Sequence, residues 1–170
     1  MISKFLIMAA IMFSTNAYAE EELTLSTKPE YSHRKGLRFG YNYANKAEES
    51  PKLQSPHMFA LGFEAQQTMA GGDWLDLLFI QNITISGLEQ SVVIPTGNAM
   101  VGFEINKAFQ IGVGANVSIY DPSGKDNYIH LVSAVGWTQP AGVFSVPVHF
   151  VLIPDVNNYW RCAATTGVNW

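Results

Sequence analysis

The chain has 170 residues, of which 14% are charged, 48% hydrophobic and 12% aromatic, and its formal net charge is -4 at pH 7. This length suits one domain with a substantial core, and the acidic balance argues against a nucleic-acid partner, which would require a basic face. Ordinary soluble domains carry about 25% charged residues, so this chain is unusually poor in charge. A single cysteine, Cys162, excludes an internal disulfide and a cysteine-based zinc cluster.

The first 19 residues have the pattern of a secretory signal peptide. Lys4 supplies the positive charge, an apolar stretch runs from Phe5 to Phe13, and Ala17-Tyr18-Ala19 has the spacing of a cleavage site. We therefore expect residues 1–19 to be removed.

The segment 20–35 is polar, contains Pro29 and lacks a sustained apolar period. It is predicted to be a flexible periplasmic leader.

From Gly36 onward the dominant pattern has a period of two, which is typical of strands. Between Phe109 and Ile119, apolar side chains alternate with glycine, serine, asparagine and glutamine. Segments with this alternation lie at 37–44, 57–67, 74–86, 98–105, 109–120, 128–138, 143–153 and 159–170. The connections between them alternate between short and long. Residues 36–170 are therefore predicted to form an all-β, eight-stranded, antiparallel up-and-down β-barrel.

The two faces of these strands indicate which solvent surrounds the barrel. The non-apolar face carries small or uncharged residues, which suit a narrow lumen better than a hydrated surface. Aromatic residues cluster near strand ends, with Trp74, Trp137 and Trp170 at one level and Tyr43, Tyr120 and Trp160 at the other. Two such girdles are expected of a barrel that spans a membrane. The alternative is a soluble, lipocalin-like periplasmic carrier of an apolar ligand, with its apolar face directed inward.

The segment 36–170 resembles the small eight-stranded outer-membrane barrels of the OmpA/OmpX-like class. The most specific element is the last strand, Trp160 to Trp170, because an alternating strand that ends on an aromatic residue resembles the C-terminal signal of that class. The resemblance implies that Val168 and Trp170 belong to a signal for the outer-membrane assembly machinery. It also implies a location in the outer membrane of a Gram-negative bacterium, in contact with membrane lipid and lipopolysaccharide.

Charged residues on the lumen face predict an internal ion-pair plug. Arg38, Glu64 and Glu104 are expected to lie at one level and to satisfy each other, because a charge in a narrow interior must be paired. Arg161 lies at another level, with Asp155 as one candidate partner. Further polar residues predicted to face the lumen are Gln110, Asn116 and His149. Eight strands leave no room for a wide aqueous channel, so a diffusion porin is disfavoured.

An enzymatic role has little support in the sequence. His130 and Ser133 are three residues apart, which places them on opposite faces of a strand and prevents a catalytic dyad. We predict no catalytic, metal or cofactor site, although an outer-membrane lipid-modifying enzyme stays an open alternative. Pro147 lies inside the seventh strand, where either a bulge or an interruption of pairing is expected.

The long loops 46–56, 87–97 and 121–127 are the remaining candidates for function, because recognition usually resides in loops on a rigid scaffold. The favoured prediction is a monomeric, non-enzymatic protein with a structural or surface-binding role. Its partner would be lipopolysaccharide or a surface protein. Loop 87–97 is apolar enough to pack over the barrel mouth or to contact a partner, and the sequence does not separate these alternatives.

Overall fold

A computed structural model describes residues 32–49, 53–120, 127–155 and 158–170. The predicted signal peptide and most of the predicted leader lie outside these residues. The strands are β1 (His33–Ala44), β2 (His57–Gly71), β3 (Leu75–Ser86), β4 (Ile94–Ile105), β5 (Phe109–Ser118), β6 (Ile129–Ala141), β7 (Phe144–Ile153) and β8 (Arg161–Asn169). Two short 3-10 helices, η1 (Ala47–Glu49) and η2 (Leu88–Gln90), lie in the connections. No helix in the described ranges is long and apolar enough to cross a membrane.

The strands form one closed antiparallel barrel in chain order, and β8 pairs with β1 to complete it. This confirms the predicted eight-stranded up-and-down architecture. We call the end with the short β2–β3, β4–β5 and β6–β7 connections the turn end, and the opposite end the loop end. Both β1 and β8 place their outer termini at the turn end, where Lys35 and Trp170 exchange two backbone hydrogen bonds of 3.1 and 2.8 Å.

The barrel wall is apolar outside and largely polar inside. In β5, Phe109, Ile111 and Val113 are exposed, whereas Gln110 and Asn116 are buried in the lumen. A soluble carrier would require the opposite arrangement, so the lipocalin-like alternative is wrong for this chain. A continuous exposed apolar surface of this kind marks contact with a membrane. Closure also leaves no unpaired strand edge for lipid to meet, so this is a transmembrane barrel of the outer-membrane type.

Two strand starts and the burial of one aromatic residue differ from the sequence-based prediction in ways that change the leader, a loop and a girdle. Strand β1 begins at His33, so residues 33–35 belong to the barrel and not to the leader. Strand β4 begins at Ile94, which shortens the predicted loop 87–97 to residues 87–93. Tyr120 was expected in an aromatic girdle but is only 5% exposed, because its ring packs inward at the loop end.

Pro147 interrupts the ladder without a bulge. Its pairing with β6 is continuous, with Thr138 opposite, whereas the β7–β8 pairing stops after Ser145 and resumes at Val148 in the same register. The Thr166 hydroxyl donates a hydrogen bond of 2.9 Å to the Pro147 carbonyl within this gap. The second of the two predicted alternatives, interrupted pairing, is therefore the observed one. A register shift occurs instead in β2, between Thr68 and Ala70.

Candidate functional site

The lumen contains a buried ion pair between β1 and β2. Arg38 Nη2 donates to Glu64 Oε1 at 2.6 Å, and both side chains are 2% exposed. Arg38 Nη1 also donates to the Leu37 carbonyl at 3.0 Å. Two of the predicted plug residues are therefore in direct contact.

Glu104 lies on the same face but pairs with a different cation. Arg34 Nη2 lies 2.8 Å from Glu104 Oε1 and 2.7 Å from Oε2. The expectation that Arg38, Glu64 and Glu104 satisfy each other directly is therefore wrong for Glu104. Its partner comes from the segment that the sequence assigned to the leader.

Neutral side chains join the two ion pairs. Gln66 Nε2 donates to Glu64 Oε1 at 2.7 Å, and Gln110 Nε2 donates to Glu104 Oε1 at 2.7 Å. The two amides also contact each other at 3.2 and 3.3 Å. The His149 ring lies between Gln110 and Glu64, with its Nε2 2.9 Å from Gln110 Oε1 and its Nδ1 3.5 Å from Glu64 Oε2. A continuous polar network, which we call the lumen network, therefore runs from Arg38 to Arg34.

A second polar row contains Asn82, Asn98 and Asn116, which are register partners on β3, β4 and β5. Asn98 donates to Asn82, and Asn116 donates to Asn98, each at 2.6 Å. Arg161 Nη2 donates to Asn116 Oδ1 at 3.0 Å. Asp155, the candidate partner proposed for Arg161, has its Oδ2 3.3 Å from His130 Nδ1.

Little space is left between these groups. A cavity of about 60 Å³ is lined by residues that include Arg38, Asn98, His149 and Arg161. A water molecule needs roughly 10–15 Å³ of such volume, so the cavity suits a few waters and no substrate-sized molecule. Polar groups and packed side chains fill most of the interior.

An apolar cluster, which we call the mouth cluster, is buried at the loop end. It consists of Ala44, Ala47, Leu53, Met58, Ile94 and Tyr120, with Val92 packed against it. These residues come from strand ends and from the first two long connections. Burial of apolar surface therefore holds parts of both connections over the mouth.

Gln90 fastens these two connections to each other. Its Oε1 accepts hydrogen bonds from the backbone N–H groups of Gln54 and Ser55 at 2.9 and 3.0 Å. Its Nε2 donates to the carbonyls of Ser55 and His57 at 3.1 and 2.7 Å. Glu89 Oε1 accepts from the Phe59 N–H at 3.2 Å. The β3–β4 loop is therefore fixed to the wall, while Leu88 and Val93 at its surface stay 51% and 58% exposed.

The arrangement offers no assembled catalytic pair at the residues considered from the sequence. His130 is buried, whereas Ser133 lies on the opposite face with its hydroxyl 3.4 Å from the Leu152 carbonyl. Among the described residues, no group of three or more His, Cys, Asp or Glu side chains could hold a metal ion. The predicted loop 121–127 lies almost wholly outside the described residues.

Several functional residues were missed from the sequence. Gln66, Asn82 and Asn98 lie on the polar face of their predicted strands, so the same alternation that selected Gln110 and Asn116 could have identified them. Arg34 was harder to identify, because it lies in the run His33-Arg34-Lys35, which has no alternation of apolar and polar residues to mark a strand. Gln90 carried none, since most of its partners are backbone atoms in a distant loop.

Comparison with known proteins gives one structural likeness. No family model matches the sequence, and no curated protein matches it. Among solved structures, the chain is similar to the backbone structure of the Yersinia pestis outer membrane protein Ail in phospholipid bilayer nanodiscs. That likeness has a TM-score of 0.43 at 11% sequence identity and covers 82% of this chain and 100% of that chain.

Proposed function

We propose that this chain is a monomeric, non-porin barrel of a Gram-negative outer membrane with a structural or surface-binding role at its loop end. The observation that carries the proposal is the closure of the barrel interior. The lumen network, the asparagine row and the mouth cluster follow one another along the barrel, and among the described residues the lumen cavities between them are small, of about 60 and 10 Å³. A barrel filled in this way supports neither diffusion of solutes nor storage of a ligand.

The surface-binding part of the proposal is assigned to the β3–β4 loop. Gln90 and Glu89 hold this loop in place, so a partner would not bear the entropic cost of ordering it. Leu88 and Val93 are the exposed apolar side chains that the loop presents. Lipopolysaccharide or a surface protein would meet these residues if both termini lie in the periplasm, as the signal peptide and the leader lead us to expect.

Two measurements test this function. Purified protein in planar bilayers is expected to give no large, ion-selective conductance, and such a conductance would contradict the proposal. The double variant Leu88→Ser with Val93→Ser is expected to fold normally but to restore the envelope phenotype of a deletion strain incompletely. The matched control is Val143→Ser, because Val143 is 85% exposed at the opposite end of the barrel. If the double variant restores the phenotype fully, this loop is not the binding surface, and the structural role is the part of the proposal that stands.

A further inference from the structure

The outer wall near the turn end carries a cleft of about 90 Å³ between β1, β2 and β3, which we call the polar cleft. Lys35, Ala65 and Gln81 line it as direct register partners on the three strands. His33 and Gln67 are the adjacent pair toward the turn end. Because Ala65 is short, the wall is recessed between Lys35 and Gln81, whose strands lie about 10 Å apart.

Gln81 is a polar residue in an apolar outward row. The other outward members of β3 are all apolar, namely Leu75, Leu77, Phe79, Ile83 and Ile85. The Gln81 side chain is only 7% exposed, and within the described ranges its amide makes no hydrogen bond. Hydrocarbon offers no partner to such an amide, so leaving it unpaired in a membrane is costly. The residue therefore points to a ligand that supplies a hydrogen-bonding group at the wall.

The charges around the polar cleft favour an anion. His33 and Lys35 are exposed at its rim, and Lys35 forms no ion pair with a described residue. None of the described residues that line the cleft is Asp or Glu. Arg34 also borders the cleft, but its guanidinium turns into the lumen toward Glu104. A ligand with a negative charge therefore complements this site.

The polar cleft lies at the membrane interface of the turn end. Lys35 exchanges backbone hydrogen bonds with Trp170, and the Trp170 ring lies 6.3 Å from the ring of Phe63, which lines the cleft. Exposed tryptophan rings favour the headgroup level of a bilayer. With both termini in the periplasm, as expected, this is the outer-membrane leaflet that holds phospholipid, whereas lipopolysaccharide occupies the leaflet at the loop end.

Gln81 lies deeper in the membrane than Lys35. A register row that leaves β1 at His33 returns to β1 at Tyr43 after one circuit of the barrel, so each strand crossed brings the row closer to the loop end. Gln81 is two strands along its row from Lys35. A phospholipid has the same order, with its phosphate at the interface and its ester carbonyls closer to the hydrocarbon.

We propose that the polar cleft binds one anionic glycerophospholipid of the periplasmic leaflet, with its phosphate at Lys35 and an ester carbonyl at Gln81. The Lys35 ammonium donates a charge-assisted hydrogen bond to the phosphate, and the Gln81 amide donates to the carbonyl. Only the phosphate and glycerol portion enters the cleft, while the acyl chains extend over the apolar wall past Ile83. The site requires the barrel to span a membrane with its termini in the periplasm, but it does not depend on the binding role proposed for the β3–β4 loop.

The test is lipid retention measured by native mass spectrometry in mild detergent, with palmitoyl-oleoyl phosphatidylglycerol or the corresponding phosphatidylethanolamine added. The unmodified protein is expected to retain one phosphatidylglycerol per barrel and to bind phosphatidylethanolamine severalfold more weakly. Lys35→Gln is expected to remove that preference. Lys46→Gln is the charge-matched control, because Lys46 lies at the loop end and does not line the cleft. Equal phosphatidylglycerol affinities for the two variants would overturn the proposal.

Two further variants test the wall of the cleft. Gln81→Leu is expected to lower the affinity for both lipids severalfold, since both carry ester carbonyls, while the preference for phosphatidylglycerol is kept. Ala65→Leu, which fills the recess, is expected to do the same. Ala115→Leu is its control, because Ala115 is an exposed outward residue of β5 that does not line the cleft. Unchanged affinity in Gln81→Leu, or equal affinities for Ala65→Leu and Ala115→Leu, would contradict the assignment.

Photo-crosslinking in cells identifies the occupant directly. Phe63→p-benzoylphenylalanine keeps an aromatic ring at the cleft and places a photoreactive carbonyl beside it. Irradiation is expected to give a phospholipid adduct, which mass spectrometry of the purified barrel identifies, and Lys35→Gln in the same chain should reduce its yield severalfold. An adduct with lipid A, with a second copy of the barrel or with the chain's own segment 20–31 in place of phospholipid would overturn the proposal and assign the cleft to that occupant.

Discussion

Arg34 and Glu104 are joined across the barrel, with Arg34 Nη2 within 2.8 Å of both carboxylate oxygens. The two residues are 70 positions apart and lie on β1 and β4, which are not neighbours in the sheet. The contact therefore spans the lumen and does not reinforce one ladder. It ties the strand that completes the barrel to the opposite wall near the turn end.

Removal of the Arg34 side chain is expected to destabilise the barrel. Arg34→Ala leaves the Glu104 carboxylate, which is 2% exposed, with a hydrogen bond from Gln110 but without its cationic partner. Loss of one partner of a buried polar group costs about 1–3 kcal/mol, and more when that group is charged. The midpoint of urea unfolding in lipid vesicles measures the effect. Lys35→Ala is the control because Lys35 is exposed, and equal midpoints for the two variants would contradict the assigned role.

A larger loss is expected when Glu64 is replaced. The Glu64 carboxylate contacts Arg38, Gln66 and His149, so Glu64→Ala leaves the Arg38 guanidinium buried without its counter-charge. Breaking a buried ion pair in this way costs about 3–5 kcal/mol. Unfolding free energies of Glu64→Ala and of the surface variant Glu49→Ala provide the comparison. The double variant Glu64→Leu with Arg38→Met should recover much of the loss, and no recovery would refute ion-pair loss as the cause.

Gly136 on β6 pairs with His149 on β7, and the His149 ring fills the space that a side chain at position 136 would occupy. A Cβ on Gly136 would lie 2.1 Å from His149 Cδ2, so Gly136→Ala must displace the imidazole from Glu64 and Gln110. Overpacking of this kind costs about 1–3 kcal/mol. Adding His149→Ala should relieve the clash, so the two changes together should cost less than the sum of the single changes. Gly72→Ala is the control, since its Cβ would meet only the Leu75 carbonyl at 3.6 Å. Additive costs would show that the two residues do not interact.

The strand pattern was predictable because each side chain in this barrel has one of two environments. More and less exposed positions alternate along the whole of β5, and the predicted limits of β5 and β6 agree with the structure to within three residues. The polar set was assigned to the lumen for the same reason, and Arg38, Glu64, Gln110 and His149 all lie there.

Partners within the lumen were less predictable than faces. Alternation specifies the direction of a side chain but not the height at which a distant strand presents a partner, and that height depends on register and strand tilt. For this reason Glu104 forms its ion pair with Arg34, whereas Arg38 was expected to neutralise it. Loop contacts were beyond sequence reasoning for another reason. Backbone groups, which every residue carries, satisfy the Gln90 amide, so no residue type marks the partner loop.

Trp170 combines two roles that a substitution can separate. Its backbone N–H and carbonyl exchange hydrogen bonds with Lys35, while its ring is 54% exposed and lies 6.3 Å from Phe63 between centroids. Trp170→Asp keeps the backbone bonds but places a charge where an aromatic ring should anchor the turn end at the membrane interface. We expect a severalfold fall in folded barrel in cell membranes, measured by heat-modifiable gel mobility.

The controls decide which role of Trp170 matters. Val143→Asp places the same charge at the turn end, on a residue that is 85% exposed, and it should be tolerated better if the C-terminal strand is an assembly signal. Trp170→Phe should restore assembly in cells, because an aromatic terminus is retained. Purified Trp170→Asp protein should still refold in detergent, since closure of β1 on β8 does not need the ring. Equal assembly of Trp170→Asp and the unmodified protein in cells would remove Trp170 from the assembly signal.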